Sequence, residues 1–296
     1  MSAYFACLMA VFAAVGALCG ACAVPWLADK ALRRAYSRSL AWWESSYREL
    51  TDYQAVYPGQ LPKPSDKGAA GAVGVWLADA LSLARQGDLA RERAQMLADA
   101  GLDVDPSAAV RAERDQAERC SFHPGAPVRA ALGVMTGAAF AALPASGLPL
   151  QLDALFAVCL LAMIVGVACD LRARMIPIEC CAAIALAGGA FQLLRGGLQA
   201  LGAGLLFAVA VVVACWFARK VLKAGPRAVG GGDMRCMAAL ALASGPGALV
   251  GAIACYIAAA AVSALGVLTR KLKFSDGLPM APFLMLWLIF GGVVVV

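Results

Sequence analysis

The sequence predicts an all-α, polytopic membrane protein: a bundle of about eight transmembrane helices carrying one small helical cytosolic insert. Three observations predict it. The 296 residues are 62% hydrophobic and only 15% charged, with a mean hydropathy of +0.75, whereas soluble domains run nearer half apolar and a quarter charged. Apolar runs approaching the ~20 residues needed to cross a bilayer recur along the chain. The acids are segregated, with fourteen of nineteen between residues 29 and 128.

The chain begins with an apolar helix over residues 1–28. It contains no Lys or Arg, so it lacks the basic n-region of a cleavable signal and reads as a retained membrane helix. Seven further apolar stretches follow at about 129–148, 150–169, 176–194, 198–218, 234–245, 247–268 and 278–296. The sixth stretch of the eight is short, and Gly245-Pro246-Gly247 after it reads as a turn or kink. The eleven cysteines lie mostly inside apolar runs and act as small hydrophobes. Cys19-Gly20-Ala21-Cys22 is an isolated Cys-x-x-Cys in the first helix, and no disulfide framework is evident.

The connections orient the bundle. Basic residues fall at 30–38, at 172 and 174, at 219–227 and at 270–273, while the alternate connections at 144–152, 195–197 and 244–247 carry only Arg195. Under the positive-inside rule this alternation puts both termini outside and the basic loops in the cytosol of a plasma-membrane protein. The net charge of +6 therefore belongs to topology, and no nucleic-acid partner is expected.

Residues 29–128 form the hydrophilic insert, with fourteen basic and fourteen acidic residues between 29 and 129. It opens on an aromatic and basic patch containing Trp42-Trp43 and passes a Pro/Gly linker from Tyr57 to Pro64. Apolar periodicity then predicts helices over 75–100 and 107–119, with Pro106 in the first turn of the second. Cys120-Ser121-Phe122-His123 has no second ligand pair, so no metal site is expected. His123, the single histidine, precedes the second membrane helix.

Residues 129–296 form the membrane-embedded domain and hold only five acids: Asp153, Asp170, Glu179, Asp233 and Asp276. Asp170 closes the apolar run Met163 to Cys169, and Asp233 follows the glycine triplet Gly230-Gly231-Gly232. An ionisable group at the edge of hydrocarbon is a functional-site candidate by default. Asp233 also suits a helix N-terminus. Asp170 sits where the helix dipole repels a carboxylate, a penalty Arg172 and Arg174 offset in part. Two carboxylates sharing a partly dehydrated site do not both ionise readily. The charged one can deprotonate water while the protonated one polarises a carbonyl. Glycines beside them let a substrate backbone approach.

These segments resemble the type IV prepilin peptidases. Asp170-Leu171-Arg172-Ala173-Arg174-Met175-Ile176-Pro177 is similar to that family's first aspartate motif, with Ile178 where the family often has Asn. Gly230-Gly231-Gly232-Asp233 matches its G-x-G-D motif, with Arg235 where Lys is usual. Leu278-Pro279-Met280-Ala281-Pro282-Phe283-Leu284 resembles its last-helix segment, with Ala281 in place of Gly. The resemblance covers residues 129–296. It implies an intramembrane aspartic endopeptidase, without cofactor, that cleaves the leader of pilin-like precursors at the cytosolic membrane edge. Asp170 and Asp233 carry over as the catalytic dyad. Gly230, Gly231, Gly232, Arg172, Pro177, Arg235, Pro279 and Pro282 carry over as residues supporting the site or the substrate backbone. Longer members bear paired Cys-x-x-Cys zinc motifs and a methyltransferase region in the first cytosolic loop. The single Cys120 in this loop implies neither zinc nor N-methylation.

Two other readings fit the same residues. A transporter or channel could use the two aspartates for a cation or proton, although both lie at one edge rather than at the midplane, and no inverted repeat is evident. An inactive assembly protein could retain the dyad without using it.

Overall fold

The computed structural model describes residues 3–109, 112–221, 230–270 and 278–294. The basic stretches 222–229 and 271–277, which enter the topology expectation, and Asp276 lie outside the described residues. Among the described residues every regular element is a helix, with no strand. Five helical runs are long and apolar enough to cross a membrane: Tyr4–Val56, Ala126–Ser146, Leu150–Ala173, Ile178–Ala218 and Gly231–Leu268. Ala281–Gly292 is a shorter apolar helix. By internal packing the chain divides into two compact units, one of Met1–Ala31 with Phe122–Val296 and one of Leu32–Ser121.

The first helix does not stop near residue 28. Helix α1 (Ala3–Leu18) passes through a π-helical turn at Cys19–Ala23 into α2 (Val24–Val56). Pro25 explains the turn: its ring cannot donate a backbone hydrogen bond and crowds the preceding turn, and a π-bulge absorbs the misfit. No other breaker occurs before Pro58, so the aromatic and basic patch continues as helix.

In the Leu32–Ser121 unit, that helix meets α3 (Ala69–Arg85), α4 (Arg91–Asp99) and α5 (Glu113–Arg119). The helix expected over 75–100 is two helices, separated where Gly87 takes φ 68°, a conformation open to glycine at little cost. The helix expected over 107–119 is a 3-10 turn at Pro106–Ala108 followed by α5. Trp43, Leu50, Trp76, Leu77 and Leu97 form the unit's own core, with Trp43 and Trp76 edge-to-face at 4.9 Å between centroids. Arg93 lies over the Trp43 ring, 5.1 Å from its centroid, and pairs with Glu113 at 2.6 Å.

The other unit is built on close helix contacts. Helix α6 (Ala126–Ala141) packs on α1 through glycines on both sides. A Cβ at Gly16 or Gly20 would strike the backbone carbonyl of Thr136 or Leu132, and one at Gly133 or Gly137 would lie about 3 Å from the carbonyl of Ala17 or Ala13. These are small-xxx-small seams that let two membrane helices approach closely. Asp29 accepts the N–H of Phe122 at 2.9 Å and lies 3.7 Å from His123 Nε2, just before α6.

Three further long elements carry the polar residues of interest. Helix α7 (Leu150–Ala173) ends with Arg174 in the left-handed region at φ 53°. Helix α8 (Ile178–Val221) is broken at Gly197, where φ is 64° and ψ −157°. The expected segments 176–194 and 198–218 fall on either side of this break. Helix α9 (Gly231–Ser244) is followed by a turn at Gly245–Gly247 and by α10 (Ala248–Leu268), so the expected segments 234–245 and 247–268 share one helical run interrupted at Gly245. At ~21 Å, α9 by itself falls short of a ~30 Å hydrocarbon core.

Helix α9 is held against both arms of α8. A Cβ at Gly188 would overlap Ala243, and one at Gly204 would lie 2.7 Å from the Leu242 carbonyl. Buried Gln192 donates to the Ala243 carbonyl at 2.6 Å, satisfying a polar group at a helix end that water cannot reach. Helix α11 (Ala281–Ile289) packs against α7, α9 and α10, with Leu284, Trp287 and Leu288 buried in the core. The outer faces of α8 and α10 expose Leu198, Leu206, Val209, Ile257, Leu265 and Leu268. An apolar band of that extent is unsustainable in water and natural in lipid.

Candidate active site

Asp170 lies in the last turn of α7 and is 5% exposed. The sequence leaves it facing the negative end of its own helix dipole. The fold supplies a second helix to offset this. Asp170 Oδ2 accepts the backbone N–H of Ala281 at 2.9 Å, and the N–H of Met280 also hydrogen-bonds its carboxylate. Met280 is the N-cap of α11 and Ala281 its first residue. The positive end of α11 therefore points at Asp170, the arrangement that suits an anion. Pro282 follows within the first turn, where its missing N–H removes no bond. The Arg174 guanidinium is within electrostatic reach, and the Arg174 N–H closes the end of α7 on the Asp170 carbonyl at 2.8 Å.

Asp233 is the third residue of α9, half-buried, with Gly230 as N-cap. Its carboxylate lies back against the Gly230 backbone, in a first turn where a negative charge is favourable. It is also within electrostatic reach of Asp170, although 63 residues separate them in the chain (233 − 170). Gly232 lies against the Ile176 backbone, six residues past Asp170, where a Cβ would be 3.4 Å from the Ile176 carbonyl oxygen, an ordinary van der Waals contact. Gly230 has Asp233 Oδ2 against it, 2.8 Å from where a Cβ would be.

Three sequence segments thus meet in one place: the end of α7, the start of α9 and the start of α11. Pro177 is buried at the α7–α8 turn, whereas Arg172 and Arg235 are exposed and Pro279 and Pro282 half-buried. Gly231 is exposed, with nothing within 4 Å of a Cβ placed there. Glu179 sits in the first turn of α8, where a negative charge is favourable. Asp153 lies at the opposite end of α7, roughly 25 Å along the helix from Asp170, buried and bonded by the Ser146 hydroxyl at 3.1 Å. It is remote from the pair.

Two features near the site carry no sequence signal. The partners of Asp170 are backbone N–H groups of Met280 and Ala281, which no side-chain identity announces. Cys181 of α8 and Cys236 of α9 hydrogen-bond to each other one turn beyond Asp233, although 55 residues separate them in the chain. Beside them a groove of about 510 Å³ runs along α9 past Met234, Arg235 and Leu242, walled by Ala185 and Ala208. Among the described residues, no group of three His, Cys, Asp or Glu side chains is placed to hold a metal.

Two carboxylates within electrostatic reach of one another can share one proton. The pair also has an open side: Gly230 and Asp233 are partly accessible, and the glycines leave the adjoining backbone unshielded. Comparison of the chain with protein-family models, with curated proteins and with solved structures finds no match.

Proposed function

We propose that this chain is an intramembrane aspartic endopeptidase that removes the leader peptide of pilin-like precursors. The observation that carries the reading is the meeting of Asp170 and Asp233, from two distant helix ends, at the start of a third helix. The three segments that meet are those whose sequences resemble prepilin peptidases. In this reading one carboxylate takes a proton from water while the other, protonated, hydrogen-bonds the scissile carbonyl oxygen. The hydroxide adds to the carbonyl carbon. The resulting diol collapses as the amine nitrogen leaves with a proton, and the dyad returns to its single shared proton. Gly230, Gly231 and Gly232 leave room for an extended substrate backbone, and Pro279 and Pro282 shape the start of α11. Arg172, Arg235 and Pro177 border the site. No cofactor or metal enters the chemistry.

The proposed setting is the plasma membrane, with eight crossings, both termini outside and the dyad at the cytosolic face. The breaks at Gly197 and Gly245 support dividing the two longest C-terminal runs into four segments. The basic residues Arg172 and Arg174 beside Asp170 support a cytosolic position for that end.

An inactive assembly role has one observation in its favour. Asp170 caps α11 and Asp233 sits in the first turn of its own helix, where a negative charge is favourable, so each acid has a structural role without any catalysis. Leader cleavage separates the two readings. Purified protein with a pilin-like precursor should release the leader, and Asp233→Asn should release none. An intact, folded wild-type protein that leaves every such precursor uncut would favour the assembly role.

A further inference from the structure

We propose that the groove between α6 and α7 binds one anionic phospholipid, with an acyl chain lying along the helices and the headgroup phosphate at Arg172. The groove holds about 380 Å³ and is lined by Val128, Leu132 and Thr136 of α6 and by Ile164, Ala168 and Arg172 of α7, with Met285 of α11 behind them. Helix α6 packs closely on α1 and only lightly on α7, which leaves the groove open along its length. From residue 128 to 136, and from 164 to 172, it runs eight residues, or about 12 Å of helix.

Its chemistry is graded along that length. Arg172 is the one charged residue in the lining and stands exposed at the end shared with Val128 and Phe122. The remainder is apolar apart from Thr136, whose hydroxyl is fully buried and has no hydrogen-bond partner among the described residues. A ligand matched to this lining is an amphiphile with an anion at one end and a hydrocarbon tail.

Charge and shape choose among the occupants a membrane offers. A single hydrocarbon chain is one methylene wide and fits. Arg172 at the rim then favours a lipid of net negative charge, since a basic residue near the membrane surface contributes about 1 kcal/mol towards anionic lipid. The inference needs only the membrane placement of the helices and is independent of the peptidase reading.

Native mass spectrometry of the intact protein in mild detergent tests it, with phosphatidylglycerol and phosphatidylcholine of identical acyl chains as probes. The expected result is one retained phosphatidylglycerol, bound about fivefold more tightly than phosphatidylcholine. Arg172→Gln should abolish the preference while leaving chain-dependent binding. Met135→Trp should weaken both lipids, because Met135 lines the groove and its 67% exposure lets a larger side chain be accepted without refolding the bundle. Matched melting curves verify that both variants are folded. Retention unchanged in Met135→Trp overturns the proposal. So does loss of the lipid to inorganic phosphate alone, or a dimer mass that excludes lipid, which would identify a second copy as the occupant.

Discussion

Asp170 accepts the backbone N–H of Ala281 at 2.9 Å, across 111 residues of chain. One bond thereby ties the end of α7 to the start of α11 and places a carboxylate on a positive helix terminus. The same residue is thus both a structural cap and half of the proposed dyad, and the two roles predict different consequences for two substitutions.

Asp170→Asn keeps an oxygen that can accept from Ala281, so the protein should melt near the wild-type temperature. Cleavage should nonetheless disappear, because an amide cannot take a proton from water. Asp170→Ala should lose cleavage and also about 1 kcal/mol of stability, the usual cost of a missing cap. Glu179→Gln should cleave at a rate close to wild type. Equal melting losses for Asn and Ala, with cleavage retained in either, would remove Asp170 from the dyad.

The orientation can be read by cysteine labelling in spheroplasts, in a background lacking the exposed Cys7 and Cys22. An impermeant maleimide added outside should label Ala145→Cys and spare Ser65→Cys. Both positions are exposed on the protein, so accessibility follows the side of the membrane. Labelling of Ser65→Cys in sealed spheroplasts would invert the proposed topology.

The seam between α1 and α6 should tolerate no added methyl group. Gly20→Ala drives a Cβ into the Leu132 carbonyl and the Thr136 hydroxyl, a clash of backbone that costs about 1–3 kcal/mol. Gly202→Ala, where a Cβ meets nothing within 4 Å, should be neutral or slightly stabilising, since alanine is the better helix former. Thermal unfolding in detergent compares them, and a Gly20→Ala protein as stable as Gly202→Ala would mean the seam is not closed.

Glu113 gives the Leu32–Ser121 unit a dependence on pH. Burial pushes its carboxyl up, but hydrogen bonds from Arg93 and Tyr36 and the Arg93 charge outweigh this and hold it below the ordinary 4.5. A depressed acid contributes stability that is fully present above its unfolded value and is lost as pH falls through the folded one. The unit should therefore loosen below about pH 4.5. Trp43, against Arg93, reports this in its fluorescence. Glu113→Gln should flatten that acid transition and cost about 1 kcal/mol at neutral pH, the pair being partly exposed. An unchanged acid transition in Glu113→Gln would locate the pH dependence elsewhere.

Much of this protein is legible in its sequence because membrane burial leaves large, local signals. Helicity, the apolar runs and the two aspartates follow from composition and periodicity, since lipid requires each backbone polar group to bond within its own helix. Gly245-Pro246-Gly247 marks its own break in the same way. Other boundaries are not local in origin. The continuation of the first helix to Val56 depends on a π-turn absorbing Pro25, and the division at Gly87 depends on a glycine adopting positive φ within a pattern that otherwise reads as one helix. The tertiary structure alone decided what surrounds Asp170. Its partners are main-chain N–H groups at the start of α11, its neighbour Asp233 comes from another helix, and Gly232 meets Ile176 backbone to backbone. Main-chain donors are the same in every residue but proline, and electrostatic reach depends on distance through space. Neither leaves a pattern along the chain.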